Sequence, residues 1–68
     1  MSVRILSLLK EKYNTEIQLH AENVKNLISN SVGVADHPNL YETIEGELEK
    51  IAALSDKIEA IKYVLPKN

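Results

Sequence analysis

The sequence predicts an all-α protein: an antiparallel two-helix hairpin that dimerises into a four-helix bundle. Three observations lead there. Apolar residues recur at three- and four-residue steps through two long runs, about residues 2–31 and about 38–65. The strongest helix-breaking signals between them, Gly33 and Pro38, fall in one short stretch, "SVGVADHP". The apolar arc of each run is also wider than contact with one neighbouring helix requires.

On a helical wheel, Val3, Ile5, Leu6, Leu9, Tyr13, Ile17, His20, Ala21, Val24, Leu27 and Ile28 of the first run fall within about 160°. From Tyr13 the steps alternate four and three through Ile17, His20, Val24 and Leu27, a coiled-coil-like seam. Ser2 is a suitable N-cap, and the helix is expected to run to about Ser31. The second run repeats the pattern with Tyr41, Ile44, Leu48, Ile51, Leu54, Ile58, Ile61 and Leu65. Leu40, Ala52 and Tyr63 widen its arc to roughly 200°. Pro66 ends it, and Lys57, Lys62 and Lys67 suit the negative end of the helix dipole. Gly46 falls on the solvent side, where it costs roughly 1 kcal/mol against Ala.

The connection, about residues 32–37, is a corner. Gly33 can take positive φ and stop the first helix, while Pro38 biases His37 away from helical angles and suits the first turn of the next. Asp36 or His37 is then the N-cap. The acids that follow, Glu42, Glu45, Glu47 and Glu49, lie toward the positive end of the helix dipole, with Glu42, Glu45 and Glu49 directed mainly to solvent. Helix initiation and solvation account for this acidic stretch better than a metal or catalytic site does.

A turn centred near Gly33 sets residue i opposite a residue near 67 − i. Leu27 then faces Leu40, Tyr13 faces Leu54, Leu9 faces Ile58 and Leu6 faces Ile61, with Val24–Ile44 and Ile17–Ile51 one position off. Apolar meets apolar along the full length. The core and dimer interface is therefore expected at Tyr13, Ile17, Val24, Ile44, Leu48, Ile51, Leu54 and Ile58. Charge suggests how two hairpins meet. Residues 17–50, the turn half, carry net charge −4, and the rest of the chain carries +2. Antiparallel packing of two hairpins sets acidic half against basic half, although each surface pair contributes little.

Composition narrows the function classes. A chain of 68 residues is near the size at which a lone core is marginal, which favours self-association. Three tyrosines with no Phe or Trp, and a net charge of −2, argue against a nucleic-acid partner. With no cysteine there is no disulfide scaffold, thiol nucleophile or thiolate metal site. "MSVRILSLLKEKY" begins like a signal peptide, but Lys10, Glu11 and Lys12 cut its apolar run short, and nothing is long enough to span a membrane. A cytoplasmic protein without a cofactor is expected.

Chemistry-bearing patterns are sparse. The serines are scattered and the two histidines lie far apart along the hairpin. Gly33 and Gly46 make no phosphate-cradling loop. Neither histidine has Glu three residues before it, as di-iron bundles require; Glu16 and His20, at i and i+4, offer a geometrically usable but very common metal pair. His20 lies at a core angle of the first helix, Glu47 intrudes on the apolar arc of the second, and the pairing rule sets them opposite. Either both swing to the bundle edge and meet water, or they hydrogen-bond as a buried polar pair that fixes helix register. Ile5, Leu8 and Leu19 border or lie outside the main stripe. Scattered exposed apolar residues are ordinary; the alternative is a surface for another protein.

The stretch "GVADHPNLYETIEGELEKIA" (Gly33–Ala52), continued by "LSDKIEAIKYV", is similar to small uncharacterised helical proteins of large tailed phages that infect marine cyanobacteria. The resemblance covers the turn and second helix, about half the chain, and its specific part is "DHP" followed by "ETIEGELEKIA". It implies a virus-encoded protein acting in a bacterial cytoplasm or in particle assembly, and it brings no activity or functional residues with it. The expected function is thus a non-enzymatic helical assembly or structural accessory protein that forms a homodimer or higher homo-oligomer. The alternative is a regulatory module that docks on a host or viral protein through its helical surface.

Overall fold

The computed structural model describes residues 3–30 and 37–66, with the backbone alone at 37 and 38. Two helices, α1 (Val3–Ser29) and α2 (His37–Val64), pack along each other as an antiparallel hairpin. At 27 and 28 residues each helix is about 40 Å long, and the Cα atoms span 54 × 16 × 15 Å. The antiparallel sense is explicit in the contacts: Tyr13 lies against Lys57, and His20 against Glu47.

The helix ends follow from local chemistry. The Asn30 amide donates to the Asn26 carbonyl at 3.0 Å, and the Leu65 amide to that of Ile61 at 3.1 Å, each extending helical bonding slightly past the last full turn. Pro66 then has no N–H with which to continue. α2 begins at His37, so of the two expected caps His37 is already the first helical residue. Pro38 sits in the first turn, where backbone N–H groups have no acceptor within the helix and a missing one costs nothing. The expected roles of Ser2, Ser31, Gly33, Asp36 and Lys67 fall outside the described residues.

Where the two helices meet, the seam of α2 differs from the expected one. Leu40, Ile44, Glu47, Ile51, Leu54, Ile58 and Ile61 are all buried or half-buried, at steps alternating four and three. Tyr41 and Leu48, expected in the seam, each stand one residue beyond it and are exposed. The reason is periodicity. A seam between two long helices keeps an average step of 3.5 residues, and that register passes through Glu47. A reading that follows hydrophobicity is drawn instead to its apolar neighbour.

On α1, Leu6, Leu9, Tyr13, Ile17, His20, Val24 and Leu27 are half-buried, whereas Val3, Ile5 and Ile28 are exposed although the wheel puts them within the apolar arc. Only Leu54 and Ile61, each 7% exposed, are buried among the described residues. Gly46 matches its expected place: a Cβ there would meet nothing within 4 Å. The surface carries helical ion pairs, Lys12–Glu16 at 3.2 Å, Lys62–Glu59 at 3.2 Å and Lys25–Glu22 at 3.7 Å, each contributing a few tenths of a kcal/mol at most.

Candidate functional site

Midway along the hairpin the apolar seam is interrupted by a polar layer. His20 Nδ1 lies 2.7 Å from Glu47 Oε1, and the Asn23 side-chain amide donates to the same oxygen at 3.1 Å. Lys50 Nζ approaches the other carboxylate oxygen at 3.7 Å. The helix repeat explains the grouping. Asn23 follows His20, and Lys50 follows Glu47, by three residues, so each pair shares one face one turn apart. The side chains of His20 and Glu47 are 21% and 14% exposed, so in the single chain the pair is half-buried rather than buried.

Electrostatics follow from these contacts. The hydrogen bond from Asn23 holds the Glu47 carboxyl below its ordinary value of 4.5, followed by that from His20; the charges of His20 and Lys50 act in the same direction, and desolvation opposes them. A carboxylate already accepting two bonds from one side, with its proton affinity lowered, is a weaker base than a free one. Its geometry suits fixing the axial position of one helix against the other.

The sign of the linkage gives a test. A depressed folded-state pKa contributes stability that is fully present above the unfolded value, about 4.5, and is lost as pH falls through the lower folded value. Thermal melts of wild type and Glu47→Gln should therefore differ above about pH 4.5 and converge as pH falls below it. At neutral pH, His20→Leu and Glu47→Leu should each lower the melting point, and their effects should not add in the double variant. Full additivity would show that the pair contributes no coupling.

The other expected site residues are placed as follows. Ile17, Val24, Ile44, Ile51 and Ile58 are half-buried along the seam, Leu54 is buried, and Leu48 is exposed. The Tyr13 ring has Lys57 Nζ at 5.4 Å and Lys12 Nζ at 5.9 Å from its centroid, within cation–π range. Ile5, Leu8 and Leu19 are exposed on α1. Glu16, the possible metal partner of His20, is engaged with Lys12. Among the described residues no group of three His, Cys, Asp or Glu side chains is placed to hold a metal ion, and no helix is long and apolar enough to cross a membrane.

Sequence reasoning brought His20 and Glu47 opposite each other but missed Asn23 and Lys50. The signal was present in the three-residue spacing from each member of the pair. What the described residues define is a helical hairpin with one polar layer in an otherwise apolar seam. No protein-family model, curated protein or solved structure matches the chain.

Proposed function

We propose that this protein is a non-enzymatic helical assembly or structural accessory protein that works as a homodimer, two hairpins forming a four-helix bundle. One observation carries the reading: among the described residues the hairpin buries only Leu54 and Ile61 and leaves ten large hydrophobic side chains exposed, Tyr41 and Leu48 among them. The chain exposes 5438 Å², about 1,100 Å² more than a compact monomer of its mass exposes. That excess is of the order that each partner buries in a stable interface, about 800 Å². The resemblance of Gly33–Ala52 to small helical phage proteins supports an assembly role in an infected bacterial cell.

Association linked to folding makes stability depend on concentration. The melting temperature should rise by several degrees between about 1 and 100 μM protein. A melting temperature unchanged over that range would count against the dimer.

A second reading, a regulatory module that docks on another protein, is favoured by Ile5, Leu8 and Leu19, all at least half exposed. If self-association leaves these three residues accessible, the docking reading gains; if it covers them, the structural reading gains.

A further inference from the structure

We propose that the second copy docks, antiparallel, on one flank of the hairpin: the face that carries Ile28, Tyr41, Ile44, Leu48 and Ile51. This inference rests on the dimer reading above and names the surface that the dimer uses.

The two flanks of the hairpin differ in chemistry. The heptad register of α2, with Ile44, Ile51 and Ile58 at one seam position and Leu40, Glu47, Leu54 and Ile61 at the other, divides its sides. On one side lie Thr43, Lys50, Lys57 and, at the helix end, Val64, and on the matching side of α1 lie Glu16 and Asn23. Besides the seam contact of His20 with Glu47, the polar contacts between the helices join a seam residue to this side, Asn23 to Glu47 and Lys57 to Tyr13, while Lys50, also on this side, approaches Glu47 within α2. Short of Val64 at the helix end, that flank is polar and engaged. The opposite flank carries Tyr41, Leu48, Ser55 and, near the helix end, Lys62 on α2, and Asn14, Ala21 and Ile28 on α1. Its large side chains are left outside: Ile28 is 57% exposed, Leu48 51% and Tyr41 69%. Beside them, Ile44 and Ile51 are only half-buried by α1. An apolar stripe of this kind fits the inner face of a four-helix bundle.

Charge complementarity between the two halves of the chain favours a second copy as the occupant, and sets its direction. Parallel docking would set the turn half, net −4, on an identical half, whereas antiparallel docking sets it on the +2 half of the partner. A two-fold axis perpendicular to the hairpin then passes near the midpoint of α2, between residues 50 and 51, which brings Ile51 and Leu48 beside their own counterparts. At the turn end, Tyr41 comes level with the partner's Ala60, about 3 Å along the axis from the partner's Lys62.

The test compares the wild type with Leu48→Glu and Leu19→Glu by sedimentation velocity and circular dichroism over a dilution series. Leu19, 61% exposed against 51% for Leu48, lies on the back of α1, so it serves as the control. Leu48→Glu should raise the dimer dissociation constant by about tenfold or more while helicity at high concentration is kept, and Leu19→Glu should leave it unchanged. If Leu48→Glu fails to fold, Tyr41→Ser, at a still more exposed position, reads the same equilibrium. A wild-type dimer that Leu48→Glu leaves intact, or that Leu19→Glu splits, would overturn the assigned face while the dimer itself stands. A wild type that stays monomeric would instead remove the reading on which the inference rests. Direction is read with Tyr41→Cys in this cysteine-free chain. Antiparallel packing holds the two introduced thiols about 28 Å apart along the bundle, so oxidation should give no disulfide-linked dimer. Efficient cross-linking would show parallel packing.

Discussion

Ile51→Asp is expected to abolish the folded assembly at micromolar concentration. Ile51 stands near the midpoint of α2, half-buried against α1 in the single hairpin. In the proposed bundle it also meets the partner, which removes the water that still reaches it. An unpaired carboxylate in that position costs about 3–5 kcal/mol per site, and the two-fold axis doubles the number of sites. A chain of 68 residues has a total stability on the order of 3–10 kcal/mol, so the loss is most or all of what holds the protein together. Far-UV circular dichroism should show the helical signal collapsing, or surviving only at much higher protein concentration. Ile51→Val, which removes one methylene, should cost only about 0.5–1.5 kcal/mol. A variant Ile51→Asp that melts like the wild type would show that this position never leaves water.

Leu54→Ala should cause the second-largest loss, and for a different reason. Leu54 is already buried by the hairpin alone, at 7% exposure. Alanine is the best helix former, so the substitution leaves the helix intact and isolates packing. Truncating a buried leucine costs about 2–5 kcal/mol, depending on how far the surroundings collapse into the space. Two helices enclose the site less completely than a full core does, so a value near the lower end, about 2–3 kcal/mol, is expected. Urea denaturation at fixed protein concentration measures it through the shift in midpoint. A shift corresponding to less than about 0.5 kcal/mol would mean that the α1–α2 seam is not a significant source of stability.

The architecture was legible because helix periodicity and corner chemistry agree. Tyr13, Ile17, Val24 and Leu27 on one run, and Ile44, Ile51, Leu54 and Ile58 on the other, sit at steps that only a helix seam satisfies. The His20–Glu47 juxtaposition was legible too, because a short antiparallel connection ties each axial position on one helix to one position on the other. What escaped the sequence was finer. Leu40 and Tyr41 both have apolar bodies, and a straight wheel hardly separates adjacent candidates when the arc is wide. The polar residue Glu47 occupies the seam position, so hydrophobicity pointed one residue away from it. Asn23 was missed because its role depends on which oxygen of Glu47 is turned toward it. Distinguishing an apolar flank from a polar one required knowing the register first.

The central claim is that one hairpin does not complete its own core. Sedimentation equilibrium of the wild-type chain, across a loading range of about 1–100 μM with helicity checked on the same samples, tests it most directly. The proposed dimer should give a mass near twice the 7.6 kDa of one chain, falling toward the monomer mass only on dilution and together with loss of helix. A helical, cooperatively melting species of single-chain mass throughout that range would contradict it.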